Sequence, residues 1–169
     1  MKSGELDRDR FEKIAKLLTA RKVEFIVIGG QAEALLGSAR VTYDTDLCYR
    51  RTNENLERVA TALKELGPTL RGAPADLPFK LDVKALQLGN NFTFDTTLGS
   101  LDLLGWVEPL GTYDEFIGRA ETMPFDDIEL KVISLDDLIR VKQHVNRPKD
   151  RESLMHLLAI KRVRDGQGG

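Results

Sequence analysis

The sequence predicts an α/β (α+β) fold: a mixed β-sheet flanked by helices, followed by a helical C-terminal segment. Three observations predict it. Helix-like and strand-like runs alternate from residue 6 to residue 66. The stretch "NFTFDTTLGSLDLLGWV" has the pattern of an antiparallel strand pair, and the residues after 134 carry only helical periodicity.

Each element has a local cause. Phe11, Ile14, Leu17 and Leu18 recur at helical spacing, so residues 6–20 are expected to form an amphipathic helix. "VEFIVIGG" is a short, β-branched apolar run that stops at two glycines, as a buried strand and its turn do. "QAEALLG" reads as a short helix ended by Gly37, and an acidic strand occupies roughly 41–50. Thr52 or Asn53 caps a helix whose apolar face is Leu56, Val59, Ala60, Leu63 and Leu66; Gly67 and Pro68 end it. The Gly- and Pro-rich stretch 67–80 reads as a long surface loop, a length that often serves function. Two strands then meet near Thr97–Ser100, followed by a short helix in "TYDEFIGRA" and a strand in "IELKVI". Ser134 and Asp137 have capping-box spacing at the start of a helix that runs to about Val145. Pro148 suits the first turn of the last helix, expected to reach about Val163.

A chain of 169 residues suits a single compact domain. The expected organisation is an α/β core over 1–133, C-terminal helices over 134–165 packed on it, and a flexible tail over 166–169. Acids and bases nearly balance at a net charge of −2, which argues against a broad basic face for nucleic acid. Cys48 is the one cysteine, so no internal disulfide forms and a reducing cytoplasm is the simple expectation. No apolar run approaches the ~20 residues of a membrane span, so no membrane partner is expected. The polar start "MKSGELDRDR" is no signal peptide.

The stretch "GSARVTYDTDLCYR" plants Asp44 and Asp46 in a strand-like run. Side chains two apart on a strand share a face about 6–7 Å apart. At an effective dielectric of ~20 their charges repel by about 2–3 kcal/mol. Water relieves that repulsion on an exposed edge strand, and a cation relieves it in a site. Mg²⁺ is a hard ion that takes carboxylate and phosphate oxygens. The context extends the pattern. Gly29-Gly30 closes one strand and opens a helix, where free backbone N–H groups attract anions. Arg40, Thr42, Asp44 and Asp46 follow at alternate positions. Asp102 lies in the apolar run "TLGSLDLLGWV", where an acid needs a metal or a basic partner. Asp95 and Asp82 are rivals for a third acid, and Asp102 is preferred.

On these residues the chain resembles the nucleotidyltransferase superfamily, with its DNA polymerase beta-like fold. The pattern is a Gly-Gly or Gly-Ser turn, then D-x-D, then a third acid on a later strand. "VIGGQAEALLGSARVTYDTDL" carries the first two parts. The match is nearest to small prokaryotic nucleotidyltransferases, including toxin-like members of type IV toxin–antitoxin systems. Those share a lysine helix followed by a basic–Asp pair, here "DLIRVKQHVNRPKDRESLMHLLAIK". Many catalytic members have Gly-Ser at the turn, where this chain has Gly29-Gly30-Gln31.

The resemblance implies catalytic and metal-binding roles for Asp44, Asp46 and Asp102. It implies two Mg²⁺ ions, with Mn²⁺ as a substitute, and a nucleoside triphosphate as substrate. Gly29, Gly30, Arg40 and Lys142 would bind the nucleotide, with Thr42, Arg147 and Asp150 in support. By spacing, Lys142 falls on the inward stripe of its helix, seven after Leu135 and four after Leu138; there it either snorkels outward or reaches an anion. Asp150 falls on the buried side of the last helix, where it would hold Lys142 or Arg147, or simply answer the helix dipole. Trp106 is expected to pack in the core or at a hinge. The acceptor would be an RNA, a protein or a small molecule, and a cognate antitoxin is an implied partner. A degenerate nucleotidyltransferase fold acting as a binding or regulatory module is the alternative.

Overall fold

The computed structural model describes residues 3–38, 44–74 and 80–168. Arg40 and Thr42 lie outside the described residues. The described chain forms seven strands and seven α-helices. The strands are β1 (Phe25–Ile28), β2 (Thr45–Tyr49), β3 (Thr69–Leu70), β4 (Asn91–Thr96), β5 (Gly99–Leu104), β6 (Glu121–Phe125) and β7 (Ile128–Val132). The helices are α1 (Ser3–Ala20), α2 (Gly29–Leu35), α3 (Asn53–Lys64), α4 (Val83–Leu88), α5 (Tyr113–Phe116), α6 (Leu135–Val145) and α7 (Pro148–Gly168).

All the strands join one mixed sheet in the order β3-β4-β5-β2-β1-β7-β6. β2 pairs with β5 and β1 with β7 in parallel; the other neighbours run antiparallel. The register sets Ile28 opposite Asp46, Asp46 opposite Asp102, and Asp102 opposite Thr93. One row across the middle of the sheet therefore holds both acids, one residue from the start of α2.

The buried side of α1 carries Phe11, Ile14, Ala15 and Leu18, and α1 packs on α3 and β7. Thr52 caps α3 by accepting from the Asn55 N–H. Asn55 itself is fully buried. Its side chain accepts from the Glu24 amide at 2.7 Å and donates to the carbonyls of Glu24 and Arg50, which ties the outer ends of β1 and β2. Ser134 caps α6, but Asp137 does not complete a capping box. It turns to Arg119 and Arg140 instead. α6 stops at Asn146, which takes a left-handed φ of +53°. α7 packs along α6 and continues to Gly168, past the expected end near Val163. Among the described residues no helix is long and apolar enough to cross a membrane.

The expected loop at 67–80 contains β3 and leads into α4, whose start Asp82 caps by accepting from the Ala85 N–H at 2.8 Å. Of the expected acidic strand, residues 41–43 lie outside the described residues. β2 begins at Thr45, so Asp44 sits at its mouth rather than inside it.

Candidate active site

β1 delivers the chain to Gly29, whose φ is +64°. Only glycine adopts that conformation at little cost. It is also needed for space, since a Cβ on Gly29 would collide with the Asp46 carboxylate. The main chain at the start of α2 is therefore pressed against that carboxylate.

Asp46 and Asp102 stand side by side on adjacent strands and share a hydrogen bond. Burial, then the charge of Asp102 and that hydrogen bond, then the charge of Asp44, push the Asp46 carboxyl up to about 7; Lys142 pulls it the other way. Asp44 is exposed at the rim, and its carbonyl is approached by the Gln31 amide at 3.5 Å. Asp102 is gripped on its outer side by Arg71, whose Nη2 donates to Oδ1 at 2.9 Å. Of the rival acids, Asp82 caps α4 and Asp95 is exposed beside Arg71.

The opposite wall comes from α6 and α7. Lys142 is partly buried, with its ammonium 3.4 Å from Glu33 and 3.3 Å from Asp150. Arg147 donates to Asp150 from its backbone N–H at 3.1 Å and from Nε at 2.6 Å. Burial opposes the charge of Asp150, but the Arg147 side-chain and backbone hydrogen bonds and the Lys142 ammonium more than offset it. They hold its carboxyl down at about 2. Both supports read from the helix pattern, Lys142 and Asp150, thus point inward and meet.

Between the walls lies a cleft of about 240 Å³. Gly29, Asp46, Lys142 and Asp150 are in its lining, together with the apolar Leu104, Trp106, Val107 and Val145. Trp106, expected in the core or at a hinge, is 45% exposed there and so is not part of the core. Small-molecule pockets are typically ~300–1,000 Å³, so the cleft has room for part of a nucleotide. Cys48, two residues from Asp46, is fully buried, and burial pushes its thiol up to about 12, which makes it inert.

The fold has solved counterparts. Over 90% of this chain and 96% of the other, it superposes on the lincomycin-bound lincosamide antibiotic adenylyltransferase LnuA with a TM-score of 0.61 and 14% identity. Over 95% of this chain and 78% of the other, it superposes on an antigenic nucleotidyltransferase-like protein from Paracoccidioides brasiliensis with a TM-score of 0.55 and 16% identity. This is a nucleotidyltransferase-like fold. Neither a protein-family model nor a curated protein matches the sequence.

Within that nucleotidyltransferase-like sheet, the donor set suits a hard divalent cation. Asp46 and Asp102 are adjacent carboxylates, and the missing Cβ of Gly29 lets the backbone at the start of α2 approach Asp46 closely. The arrangement is no closed cage. Among the described residues, no three His, Cys, Asp or Glu side chains are placed to hold one ion, so substrate oxygens would have to complete the coordination.

Two residues at the site escaped the sequence reading. Glu33 is 5% exposed and faces Lys142, while its Oε1 is buried without a hydrogen-bond partner. The signal was a charge in the otherwise small and apolar "QAEALLG". Arg71 is the other; its signal was a lone arginine in a Gly- and Pro-rich loop.

Proposed function

We propose that the protein is a metal-dependent nucleotidyltransferase that moves a nucleoside monophosphate from an NTP to an acceptor hydroxyl. The observation that carries this reading is the pairing of Asp46 with Asp102 directly beneath the Gly29 backbone.

The backbone N–H groups at Gly29-Gly30 and the Lys142 ammonium would orient the triphosphate. Arg147, at the rim of the cleft, would meet its outer charge, and Arg40 would add a phosphate contact from the loop before β2. Asp44 and Asp46, with Asp102 alongside, would hold Mg²⁺ or Mn²⁺, which supplies charge neutralisation at the transferring phosphoryl group. Asp102 would take the proton of the acceptor hydroxyl. The acceptor oxygen then bonds to the α-phosphorus as the bond to the β-phosphate oxygen breaks, and pyrophosphate leaves. The base would lie against Trp106 and Val107. Catalysis in this scheme is mostly positioning and charge stabilisation. Likeness to an adenylyltransferase seen with an antibiotic makes ATP the first nucleotide to test and a small hydroxylated molecule the first acceptor. RNA and protein acceptors, and a toxin-like role with a cognate antitoxin, form the further arms of an acceptor screen.

A second reading, a degenerate binding or regulatory module, is favoured by one feature: the turn is Gly29-Gly30, so the serine hydroxyl that the Gly-Ser turn of many catalytic members offers to phosphate is absent.

Trp106 is the chain's only tryptophan and lines the cleft, so its fluorescence reports ligand binding. Titration with a non-hydrolysable ATP analogue should quench it in Mn²⁺ and not in chelator. Asp46→Asn should weaken that Mn²⁺-dependent binding by about 100-fold or more, the worth of a charged ligand at close range. Equal affinity in the variant would overturn the proposed site.

A further inference from the structure

α7 is packed on one side only. At about 3.6 residues per turn, Asp150, Ser153 and Leu157 turn toward the core and are buried, with Leu154 and Ile160 packed beside them. Lys161 and Arg164 are used within the chain, on Asp136 at 2.7 Å and on Glu121 at 3.1 Å. The opposite face carries Arg151, Glu152, Met155, Leu158, Ala159 and Arg162, all exposed. Six large apolar side chains are exposed among the described residues. Trp106 and Val145 belong to the cleft, and Leu88 ends α4. The other three, Met155, Leu158 and Val163, all lie on α7, with Met155 71% exposed in the middle of its outer face. Single exposed apolar residues need no explanation, but three along one helix form a patch.

We propose that this face pairs with the same face of a second copy of the chain, as an antiparallel α7–α7 contact about a twofold axis.

The order of charges chooses both the occupant and the direction. Along the helix, Glu152 lies about 15 Å before Arg162, and Arg151 about 21 Å before Asp165. A twofold axis level with Leu157 and Leu158 turns the helix end for end. It sets Glu152 against Arg162 of the second copy and Arg151 against Asp165 of the second copy, each pair twice by symmetry. Met155 then falls over Leu158 and Ala159 of the second copy, where the small alanine lets the helices approach. A parallel pair would set Glu152 on Glu152 and Arg162 on Arg162, which repel. A partner of one charge sign, such as a nucleic acid or an acidic peptide, would meet both signs on this face. The contact is one helix on one helix, below the ~1,200–2,000 Å² that stable interfaces bury, so the dimer is reversible and depends on concentration. Pairing braces α7, whose first turn supplies Asp150 to the cleft.

Sedimentation equilibrium of the full chain, over a hundredfold range of concentration up to several hundred micromolar, reads the contact directly. The average mass of the parent should rise from one chain toward two. Met155→Asp should remove the rise. Glu152→Arg and Arg162→Glu should each weaken association at least tenfold, because each leaves like charges opposed. The double variant restores both pairs and should recover the parent's association. An equimolar mixture of the two single variants should associate more tightly than either alone, since each supplies the charge the other lacks. All three positions are exposed, so each variant should fold, and thermal melts check it. A parent that stays a single chain throughout would overturn the proposal and leave the face to a partner of another kind. Association unchanged in Met155→Asp and in both reversals would also overturn it, by placing the contact elsewhere. Single variants that dissociate, with no rescue in the double variant or the mixture, would refute the antiparallel pairing on which it stands. None of these results bears on the nucleotidyltransferase reading.

Discussion

Asp46 and Asp150 line the same cleft, yet the protein holds them in opposite states. Asp150 is 1% exposed and accepts hydrogen bonds from Arg147 and Lys142, which keep it ionised down to about pH 2. Asp46 is less buried, but its nearest charged neighbours are two other acids, and it holds a proton up to about pH 7. Burial acts the same way on both. The difference lies in what faces them. At Asp150 the fold has supplied its own counter-charges, so that end is structure. At Asp46 the counter-charge is mostly missing, so an ionised carboxylate is unfavourable at that end.

The sharpest break of this comparison is at Asp150. Asp150→Asn keeps the shape and removes the charge that faces Lys142 and Arg147. Lys142 would be left in a buried place with Glu33 alone. Losing one partner of such a cluster costs about 3 kcal/mol, so urea unfolding should show a loss of that size with an unchanged m value. By contrast Asp46→Asn in chelator should be as stable as the parent or more so. A small loss at Asp150 and a large one at Asp46 would invert the assignment of structural and functional ends.

Much of this contrast was legible before the fold was known, and for a physical reason. Asp102, Lys142 and Asp150 each break an apolar pattern, and a charge that interrupts such a pattern must find a partner. The same logic read α3 from its stripe and β4–β5 from their alternation. It failed where no pattern exists. β3 has two residues at the sheet's edge, too few to alternate. β6 contains Pro124, which argues against a strand until β6 proves to be the other edge, where a missing N–H is tolerated. Glu33 sits in a helix of seven residues, too short for its inward face to be read. Arg71 lies in a turn with no period at all. The parallel pairing of β2 with β5, which brings Asp46 beside Asp102, joins segments more than fifty residues apart. Only the packed sheet reveals it.

A middle-sized effect separates the two aspartates by pH. The folded-state value of Asp46 lies above its ordinary one, so between about pH 4 and 7 the native chain binds more protons than the unfolded chain. Stability from this group is present below that window and lost as pH rises through about 7. Asp150 has the opposite sign: its contribution is present above about pH 4 and lost as pH falls toward 2. In chelator, the parent should lose about 2 kcal/mol between pH 5 and 8 relative to Asp46→Asn. With nucleotide and Mn²⁺ the trend should reverse, because the cation needs ionised Asp46 and binding tightens up to about pH 7. Melts of both proteins across this range supply the check. Parallel pH profiles for the two would remove Asp46 from the account.

The smallest effect is the most discriminating, because it lies between the two ends. Glu33 touches Lys142 from the α2 side at 3.4 Å, while Asp150 touches it from α7 at 3.3 Å. The two carboxylates are not equivalent. Asp150 has Arg147 as well, whereas one oxygen of Glu33 is buried with no hydrogen-bond partner. Glu33→Gln therefore removes an anion that is costly to bury, while Lys142 keeps its better partner. The Coulombic loss and the desolvation gain nearly cancel, and stability should change by about 1 kcal/mol or less. Function should move more than stability. With one of its two anions gone, Lys142 presents more net positive charge to a triphosphate. Affinity for the ATP analogue, read by Trp106 quenching in Mn²⁺, should rise several-fold, on the order of 1 kcal/mol at an effective dielectric near 20. Weaker binding in Glu33→Gln would mean that Glu33 holds Lys142 in its working position. The boundary between structure and site would then lie on α2, one helix closer to Asp46 than the charge pattern places it.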